Sequence, residues 1–392
     1  MSGAGDRIAT RAVHAGHDPA AHQGAAVPPT YASATFVASD TETLEALNDG
    51  RARGFVYSRV RNPTVFAAEQ RLAAVEGAES VVLFASGMAA ISGALMPFLR
   101  AGDEVVATPD LYGGTARLFA EVLPLQGITI RWADSLAPDA VAAAMTPATK
   151  AIYAETPTNP LLRLVDLAAL SAVAKRQGAL LIVDGTLGGP LNQDPLSLGV
   201  DLLVQSVSKY LNGHADVLGG AVAGSRALTR KVRSLQQAAG AIMDPHAAQL
   251  LMRGVATYPL RMARHNASGQ RIAGWLAGHP KIARVHYPGL SDHPDHALAL
   301  RQMTGFGGLI SFDCGSDAAA RRVVDRTRLF GIGASLGGIE SLISQPGNTS
   351  HHSVQPARRA EMGITPGLVR ISVGIEDADD LIADLEQALE QA

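Results

Sequence analysis

The sequence lacks several features that mark broad classes of protein, namely multiple cysteines, long apolar runs and an excess of either charge. Its single cysteine, Cys314, excludes an internal disulfide framework and a cysteine-based zinc site, and it is typical of a reducing compartment. We therefore predict no metal site. Gly, Pro or a charged residue interrupts every apolar run well before about eighteen residues, so no membrane-spanning helix is expected.

The charge pattern adds a further exclusion. The formal net charge is −3 with acids and bases interspersed, so neither a nucleic-acid surface nor a polybasic membrane surface is indicated. Residues 1–7 lead into no apolar segment, so no secretory signal is predicted. With 47% hydrophobic and 18% charged residues, we expect a soluble cytoplasmic protein, and 392 residues suffice for two domains.

Three segments differ in composition. Residues 1–48 contain Pro19 and Pro28-Pro29, which forbid a long helix and predict an extended arm with one short helix near 41–48. We expect this arm to pack on a neighbouring subunit, with a disordered tail as the alternative. Residues 49–250 would then form a large domain, and residues 251–392 a smaller α+β domain.

Apolar strands and helices alternate regularly through the predicted large domain. The predicted strands lie at 80–84, 103–108, 128–132, 150–155, 179–183 and 200–205. Continuous apolar strands of this kind predict a mostly parallel sheet with helices on both faces. Functional groups then belong at the carboxyl ends of the strands. The residues just past such ends are Ser86, Tyr112, Asn159, Asp184 and Lys209.

Lys209 and Asp184 are the most informative of these residues. Lys209 follows a strand and stands beside Ser206 and Ser208, so it could be a desolvated amine able to form a Schiff base. A surface lysine in a turn is the alternative. Asp184 ends a fully apolar strand, and a buried aspartate is costly unless it meets a cation or strong donors. A protonated pyridine nitrogen is such a cation.

The order strand, Ser86-Gly87, helix indicates a third component. It directs free amides and the positive end of a helix toward an anion such as a phosphate, although serine is also an ordinary helix cap. Met88, Ser206 and Ser208 could add donors. An amine, an acid and a phosphate cradle at one sheet edge are what pyridoxal 5′-phosphate (PLP) requires.

Separated motifs extend this pattern over nearly the whole chain. They are Tyr57-Ser58-Arg59, Ser86-Gly87-Met88, Tyr112-Gly113-Gly114-Thr115, Glu155-Thr156-Pro157-Thr158-Asn159-Pro160, Ser335-Leu336-Gly337-Gly338 and Val369-Arg370-Ile371-Ser372-Val373. In these motifs the chain resembles the fold type I PLP-dependent enzymes of cysteine and methionine metabolism, which include cystathionine γ-synthase and γ-lyase. The resemblance implies an α/β fold: a large domain with a mostly parallel seven-stranded sheet, followed by a smaller C-terminal α+β domain.

The resemblance also implies a role for each matching residue. Lys209 would form the Schiff base and move protons, Asp184 would keep the pyridine nitrogen protonated, and Tyr112 would stack on the ring and take part in catalysis. Arg370 and Ser335 would bind the substrate α-carboxylate, because the arginine fork suits a carboxylate. The other implied cofactor-binding residues are Ser86, Gly87, Met88, Asn159, Thr186, Ser206 and Ser208. Of these, Asn159 would sit at the 3-hydroxyl group and, like Tyr112, also contact the substrate.

A subunit arrangement follows from the same resemblance. It implies a homotetramer made of two catalytic dimers, in which Tyr57 and Arg59 complete the phosphate site of the neighbouring subunit. Arg61 would place a cation near the substrate entrance. Besides the neighbouring subunits, the predicted binding partner is a small-molecule amino-acid substrate.

Several positions depart from the family pattern. Enzymes that handle cystathionine commonly have an acid before the Tyr-Ser-Arg motif and another before the Ser-Leu-Gly-Gly motif, where this chain has Val56 and Ala334. Those acids would face the distal ammonium of cystathionine, so their absence weakens the case for cystathionine as the substrate. Methionine γ-lyases resemble the chain at both positions but carry a cysteine in place of Gly114. Gly185 replaces a usual asparagine, and His352 adds a second histidine where one is usual.

The predicted activity is γ-elimination or γ-replacement on a sulfur- or oxygen-substituted amino acid that lacks a distal ammonium group. Elimination would give a 2-oxo acid and ammonia, and replacement a γ-substituted amino acid. The alternatives are methionine γ-lyase, O-acylhomoserine sulfhydrylase or cystathionine β-lyase activity. An aminotransferase would share the Asp184 and Lys209 chemistry but would not explain the motif at 335–342.

Overall fold

The computed structural model describes residues 5–352 and 354–391, and its strands form two sheets. The strands of the first sheet are β1 Ser80–Phe84, β2 Glu104–Ala107, β3 Thr129–Trp132, β4 Thr149–Glu155, β5 Leu180–Asp184, β6 Leu202–Gln205 and β7 Gly220–Gly224. The strands of the second are β8 Arg284–His286, β9 Leu309–Asp313, β10 Gly331–Ile332, β11 Leu342–Ser344 and β12 Leu368–Ser372. Residues 1–4 of the predicted arm and residues 353 and 392 of the predicted small domain lie outside the described residues.

The first sheet has the strand order β1-β7-β6-β5-β4-β2-β3. Neighbouring strands from β6 to β3 are parallel, whereas β7 is antiparallel to both β6 and β1. A loop rather than a crossover helix joins β6 to β7, which is why this strand reverses direction. The expected mostly parallel seven-stranded sheet, with a second, smaller sheet after it, is confirmed.

Helices cover both sheets. Their bounds are α1 Ile8–His14, α2 Thr41–Asn48, α3 Pro63–Glu76, α4 Gly87–Leu95, α5 Gly113–Arg117, α6 Pro138–Ala144, α7 Leu167–Gln177, α8 Gly189–Asn192, α9 Arg226–Ala239, α10 Pro245–Ala277, α11 His296–Gln302, α12 Asp317–Arg326, α13 Pro356–Glu361 and α14 Ala378–Glu390. Within the described ranges, no helix combines the length and apolar character that crossing a membrane demands.

Local sequence signals explain where the helices begin and end. The Asn62 side chain accepts hydrogen bonds from the amides of Thr64 and Val65, Pro63 occupies the first turn, and Gly77 ends α3 in the left-handed conformation at φ 68°. Helix α7 follows the same logic, since Asp166 caps its start and Gly178 its end. These signals are local, so the sequence placed α7 at its observed bounds.

Alternate residues of the parallel strands pack on opposite faces of the first sheet. On β4, Tyr153 belongs to the apolar cluster beneath α4 and α9, whereas Ile152 belongs to the cluster beneath α6 and α7. Both side chains are fully buried. Full burial of an aliphatic side chain such as Ile152 contributes roughly 1.5–3 kcal/mol. The Tyr153 ring fills the opposite cluster, so both faces stabilise the sheet whose carboxyl edge carries the polar residues.

The long helix α10 connects the two sheets. It packs against α3 and also against β8 and β9, and one apolar cluster continues from Leu72 of α3 through Leu251 of α10 to Phe312 of β9. The helix spans residues 250 and 251, where the sequence predicts a domain boundary, and that boundary stays a prediction. Strands β10 and β11 were not predicted, because segments of two and three residues show no usable periodicity.

The N-terminal arm differs from the expectation. Its predicted helix at 41–48 is present as α2, but Ile8–His14 form an additional helix where extended chain was predicted. Helix α1 packs on α3 and α10 of its own chain, which leaves Ala12 with 0% exposure, and Arg71 Nε donates to Ala15 O at 2.9 Å. Pro19 lies beyond this helix and therefore does not interrupt it.

Candidate active site

A cavity of about 260 Å³ opens at the carboxyl ends of the parallel strands. Most of the residues proposed from the sequence line it, although they are widely separated along the chain. The lining contains Ser86, Gly87, Met88, Tyr112, Asn159, Asp184, Thr186, Ser206, Ser208, Lys209 and Arg370. The residues that the strand-end rule selects from the sequence therefore lie together in one cavity.

Lys209 lies just past β6 and is half-buried in the wall of the cavity. Its Nζ donates a hydrogen bond to Ser335 Oγ at 2.9 Å, which joins the first sheet to the segment before β11. Burial lowers the pKa of the Lys209 amine, and the nearby Arg370 guanidinium lowers it further. The neutral, nucleophilic form of the amine is thereby favoured.

Asp184 ends β5 and is almost fully buried. Its Oδ1 accepts from the Thr186 hydroxyl at 2.5 Å and from the Thr186 amide at 3.0 Å. Burial raises the pKa of the Asp184 carboxyl, whereas the two bonds from Thr186 lower it. The Thr186 hydroxyl also accepts from the Ser206 amide at 2.8 Å, so one hydroxyl links the acid to the loop that carries Lys209.

The start of α4 forms a cradle suited to an anion. Ser86 caps this nine-residue helix, and its Oγ accepts from the Ala89 amide at 3.1 Å. A Cβ atom on Gly87 would lie only 3.1 Å from the Ser206 side chain, so glycine keeps this space open. Ser208 stands beside it, with Oγ accepting from the Gly219 amide at 2.9 Å. Free helix amides and nearby hydroxyls are the usual ligands of phosphate groups.

Arg370 on β12 supplies the second cation of the cavity and is 2% exposed. Its Nη1 donates to Asn159 Oδ1 at 3.0 Å, and its Nη2 donates to the carbonyl oxygens of Ala334 at 3.0 Å and Ser335 at 3.3 Å. Burial lowers its pKa to about 10, so it remains charged at neutral pH. A buried guanidinium bonded to an amide and two carbonyls, with no carboxylate among these acceptors, is prepared to bind one from a ligand.

Tyr112 lies at the mouth of the cavity with 45% exposure. It precedes α5, and its amide donates to Glu155 Oε2 at 2.7 Å. The hydrogen bond to Glu155 thus fixes the main chain of Tyr112, while its side chain stays partly exposed at the opening. This combination leaves the ring free to contact a ligand.

Four predicted residues, Tyr57, Arg59, Arg61 and Ser335, are not part of the cavity lining. Ser335 still contacts the site, because its Oγ accepts the hydrogen bond from Lys209 Nζ. The guanidinium of Arg59 lies 5.7 Å from the centre of the Tyr57 ring and donates to Gln237 O at 2.8 Å. Arg61 covers the Phe66 ring at 3.8 Å. In the single chain the side chains of Arg59 and Arg61 therefore contact Gln237 and Phe66, and they do not reach the cavity that contains Lys209.

The structure adds residues that were absent from the predicted site. Glu155, Leu187, Leu218, Leu336 and Ser350 line the cavity. Glu155 could have been identified from the sequence, because it ends β4 just as Asp184 ends β5. Leu336 belongs to the Ser335-Leu336-Gly337-Gly338 motif, although no role was predicted for it. Leu187, Leu218 and Ser350 come from loops whose approach depends on tertiary packing, and no local signal marks them.

The two adjacent histidines after β11 have different surroundings. His351 is 1% exposed, and burial, assisted by Arg370, lowers its pKa to about 4, so it is neutral near pH 7. His352 is exposed and is not part of the cavity lining.

The polar groups of the cavity fit PLP. The α4 cradle with Ser206 and Ser208 suits a phosphate, the buried Asp184 carboxyl suits a protonated ring nitrogen, and Lys209 presents an amine to an aldehyde. These groups require a ligand with an anionic end, a basic ring and an electrophilic carbon. PLP satisfies all three requirements.

Comparisons with known proteins agree with this geometry. The sequence model of the family "Cys/Met metabolism PLP-dependent enzyme" matches residues 9–390. L-methionine gamma-lyase from Pseudomonas putida is 45% identical over 385 residues, which cover 97% of each chain. Cystathionine gamma-lyase from Bacillus subtilis is 46% identical over 342 residues, 87% of this chain and 90% of that protein.

A solved structure shows the same relationship in three dimensions. The crystal structure of metB from Corynebacterium glutamicum superposes with a TM-score of 0.94 and 38% identity, and the match covers 100% of this chain and 99% of the other. Sequence, fold and site thus lead to one conclusion. The chain belongs to the Cys/Met metabolism family of PLP-dependent enzymes.

Proposed function

We propose that this enzyme eliminates or replaces the γ-substituent of a sulfur- or oxygen-substituted amino acid whose side chain has no distal ammonium group. The observation that carries the proposal is the charge distribution of the cavity. Its acids are Glu155 and Asp184 at the ends of β4 and β5, and the described lining contains no further carboxylate. Relatives named methionine and cystathionine gamma-lyases support the γ-chemistry.

The cavity has two parts, which we call the sheet edge and the distal rim. The sheet edge comprises the residues at the ends of β4, β5 and β6 together with the start of α4. The distal rim comprises Leu218, Ala334 and Leu336. In our proposal the sheet edge holds the cofactor, and the distal rim faces the γ-substituent of the substrate.

The sheet edge would hold PLP through the residues already described. The Ser86–Met88 segment, Ser206 and Ser208 would bind its phosphate, Asp184 with Thr186 would bind the ring nitrogen, and Asn159 would contact the ring hydroxyl. When bound, PLP withdraws electrons from the substrate α-carbon and so makes its proton acidic. Lys209 anchors the cofactor, and because its pKa is lowered it can accept that proton as a neutral amine.

The substrate carboxylate is proposed to bind Arg370. The guanidinium already points to Asn159 and to the segment 334–335, and a carboxylate can replace or join these neutral acceptors with a stronger, charge-assisted bond. Ser335, bonded to the Lys209 amine in the free protein, contacts the same end of the substrate. Tyr112 covers the opening and exchanges a proton with the incoming amine or the leaving group.

The distal rim selects the γ-substituent. Leu218 is 77% exposed although it lines the cavity, and Ala334 adds only a methyl group beside the main-chain carbonyl that Arg370 binds. A charged ammonium placed there would find no carboxylate partner, because the only acids of the described lining are Glu155 and Asp184 at the strand ends. A thioether, thiol or acyl group loses little on leaving water.

The enzyme is further proposed to work as a homotetramer in the cytoplasm, with an arm at 1–48, a large domain at 49–250 and a small domain at 251–392. Tyr57, Val60 and Val37 are 42%, 45% and 97% exposed in the single chain, which supports coverage of this surface by a neighbour. Tyr57 and Arg59 would then complete the phosphate site of that neighbour, and Arg61 would lie near its entrance.

A complementation experiment tests the shared site. Lys209→Ala and Arg59→Ala proteins are purified separately, dissociated, and reassembled as a mixture. If each site takes residues from two subunits, mixed dimers contain one intact site, and activity rises well above that of either variant alone. An unchanged sum of the two activities would contradict the shared site.

The substrate proposal is tested with a panel of L-methionine, L-homocysteine, O-acylated homoserines and cystathionine, each with and without a thiol nucleophile. Mass spectrometry of the products distinguishes elimination, which gives 2-oxobutyrate and ammonia, from replacement, which gives a new thioether. Turnover of the neutral substrates is expected. If cystathionine were the only member of the panel to be turned over, the proposal would be contradicted.

A further inference from the structure

Glu155 is the acid of the cavity to which no role has yet been given. It ends β4 and lies in register with Asp184 at the end of β5, so two carboxyl groups stand at adjacent strand ends in one cavity wall. Both residues are less than one-tenth exposed. Two neighbouring carboxylates with little access to water repel each other, and one of them retains its proton.

The hydrogen bonds of the two acids differ in kind. Asp184 accepts from the hydroxyl and the amide of Thr186 at one oxygen. Glu155 Oε2 accepts from the Tyr112 amide at 2.7 Å, and the main-chain amide of Asn159 also stabilises its charged form. The shortest of these bonds, at 2.5 Å, is donated by the Thr186 hydroxyl to Asp184, so the charge of the pair is best stabilised on Asp184.

Burial and the charges around Glu155 oppose these hydrogen bonds and favour the protonated form. Burial raises its pKa well above the ordinary value, and the negative charges of Asp184 and Asp110 raise it further. The Tyr153 phenol on the same strand is neutral, since burial raises its pKa as well. The cations of the cavity are bonded elsewhere, Lys209 to Ser335 and Arg370 to Asn159.

We infer that Glu155 is a positioning residue that remains a neutral carboxylic acid, holds the main chains of Tyr112 and Asn159 in place, and leaves the charge of the strand-end pair on Asp184. The inference deepens the proposed function and rests on it, because Tyr112 and Asn159 matter through their contacts with cofactor and substrate. With Asp184 as the only anion, one proton on the cofactor ring nitrogen balances the charge of the pair. If Glu155 were ionised as well, the cavity would need a second cation.

Infrared difference spectroscopy tests the protonation state independently of turnover. The holoenzyme is compared with Glu155→Gln at neutral pH, in the region of the carbonyl stretch of protonated carboxyl groups. A protonated-acid band present in the wild type and absent from the variant is expected. Absence of any such difference would overturn the inference, even if the enzyme turned over every substrate of the panel.

Glu76→Gln provides a matched control. Glu76 is also buried, burial followed by the charge of Asp194 raises its pKa to about 8, and it lies outside the cavity lining. This variant should lose a different acid band and retain wild-type activity. Because a neutral isostere should replace a neutral acid, failure of Glu155→Gln to fold or to bind PLP, while Glu76→Gln does both, would also overturn the inference.

A comparison of three proteins tests the positioning role. Glu155→Leu removes the acceptor for the Tyr112 amide and is expected to lower kcat by roughly tenfold to a hundredfold. Glu155→Gln retains a carbonyl acceptor and should recover most of that loss, with the visible pH titration of bound PLP superimposable on that of the wild type. A large shift of this titration in Glu155→Gln would show that Glu155 is ionised and would overturn the inference.

Discussion

The sheet edge and the distal rim belong to the same cavity, but they are built in opposite ways. At the sheet edge the acids of the buried strand ends already have hydrogen-bond partners, as in the Asp184–Thr186 pair at 2.5 Å. The start of α4 adds free amides to it. The distal rim comes from two loops, and its Leu218 is 77% exposed. A residue of the sheet edge is therefore constrained by both packing and chemistry, whereas a residue of the distal rim is constrained mainly by the ligand.

This difference explains how one scaffold can serve several substrates. A change at the sheet edge removes a bond on which the cofactor site depends, and the buried partner that remains is unsatisfied. A change at the distal rim alters the contact with the γ-substituent at little cost in folding. Relatives that share this scaffold carry different names, L-methionine gamma-lyase and cystathionine gamma-synthase among them, as this division predicts.

The largest effect is expected at the sheet edge from Lys209→Ala. If Lys209 anchors PLP and accepts the α-proton, as we propose, loss of the amine should lower kcat by roughly 10²–10⁴-fold or more. Mass spectrometry after borohydride reduction should find PLP attached to the wild type alone. Lys150→Ala, at an exposed position, is the control that keeps both properties. Attachment of PLP to the Lys209→Ala protein would contradict the assignment.

Arg370→Lys tests the site where the sheet edge meets the second sheet. The lysine keeps the charge but loses the fork that contacts Asn159 and the carbonyl groups, so kcat/KM should fall by roughly tenfold to a hundredfold. Most of the change should appear as a higher KM. Arg301→Lys, in a surface ion pair with Asp166, should behave as the wild type. Equal effects of the two substitutions would remove Arg370 from the substrate site.

At the distal rim, Ala334→Glu should introduce the missing partner for a distal ammonium. We expect kcat/KM for cystathionine to rise by roughly threefold to tenfold and the value for methionine to fall, with the thermal midpoint nearly unchanged. Ala334→Gln, which has a similar size without the charge, separates electrostatics from steric effects. If both variants change the two substrates alike, charge at this position does not set the specificity.

The smallest effect concerns pH. The pKa of Lys209 is lowered by burial and by Arg370, so its neutral form, which is the reactive one, appears at lower pH than in a free lysine. Covalent capture of PLP by the apoenzyme should therefore increase with pH, with a midpoint below pH 10.5, the ordinary pKa of lysine. Arg370→Leu removes one of the two causes and should shift this curve to higher pH. A shift to lower pH would contradict the electrostatic account.

The two parts of the cavity also differ in how far the sequence predicts them. Continuous apolar strands predict the parallel sheet, and the strand-end rule by itself places Asp184 and Lys209 at one edge of it. Glu155 carried the same signal as Asp184 and was overlooked. Leu218 and Ser350 carry no local signal, and the bond between Arg370 and Asn159 joins residues 211 positions apart. Such contacts depend on the packing of α10 and the second sheet against the first.

A competition assay tests the central claim most directly. The enzyme receives equal concentrations of cystathionine and a neutral substrate from the panel, either L-methionine or an O-acylhomoserine, and the consumption of both is followed by mass spectrometry. The ratio of the two initial rates equals the ratio of the kcat/KM values. Our account predicts that the neutral substrate is consumed first. Preferential consumption of cystathionine against every neutral competitor would contradict it.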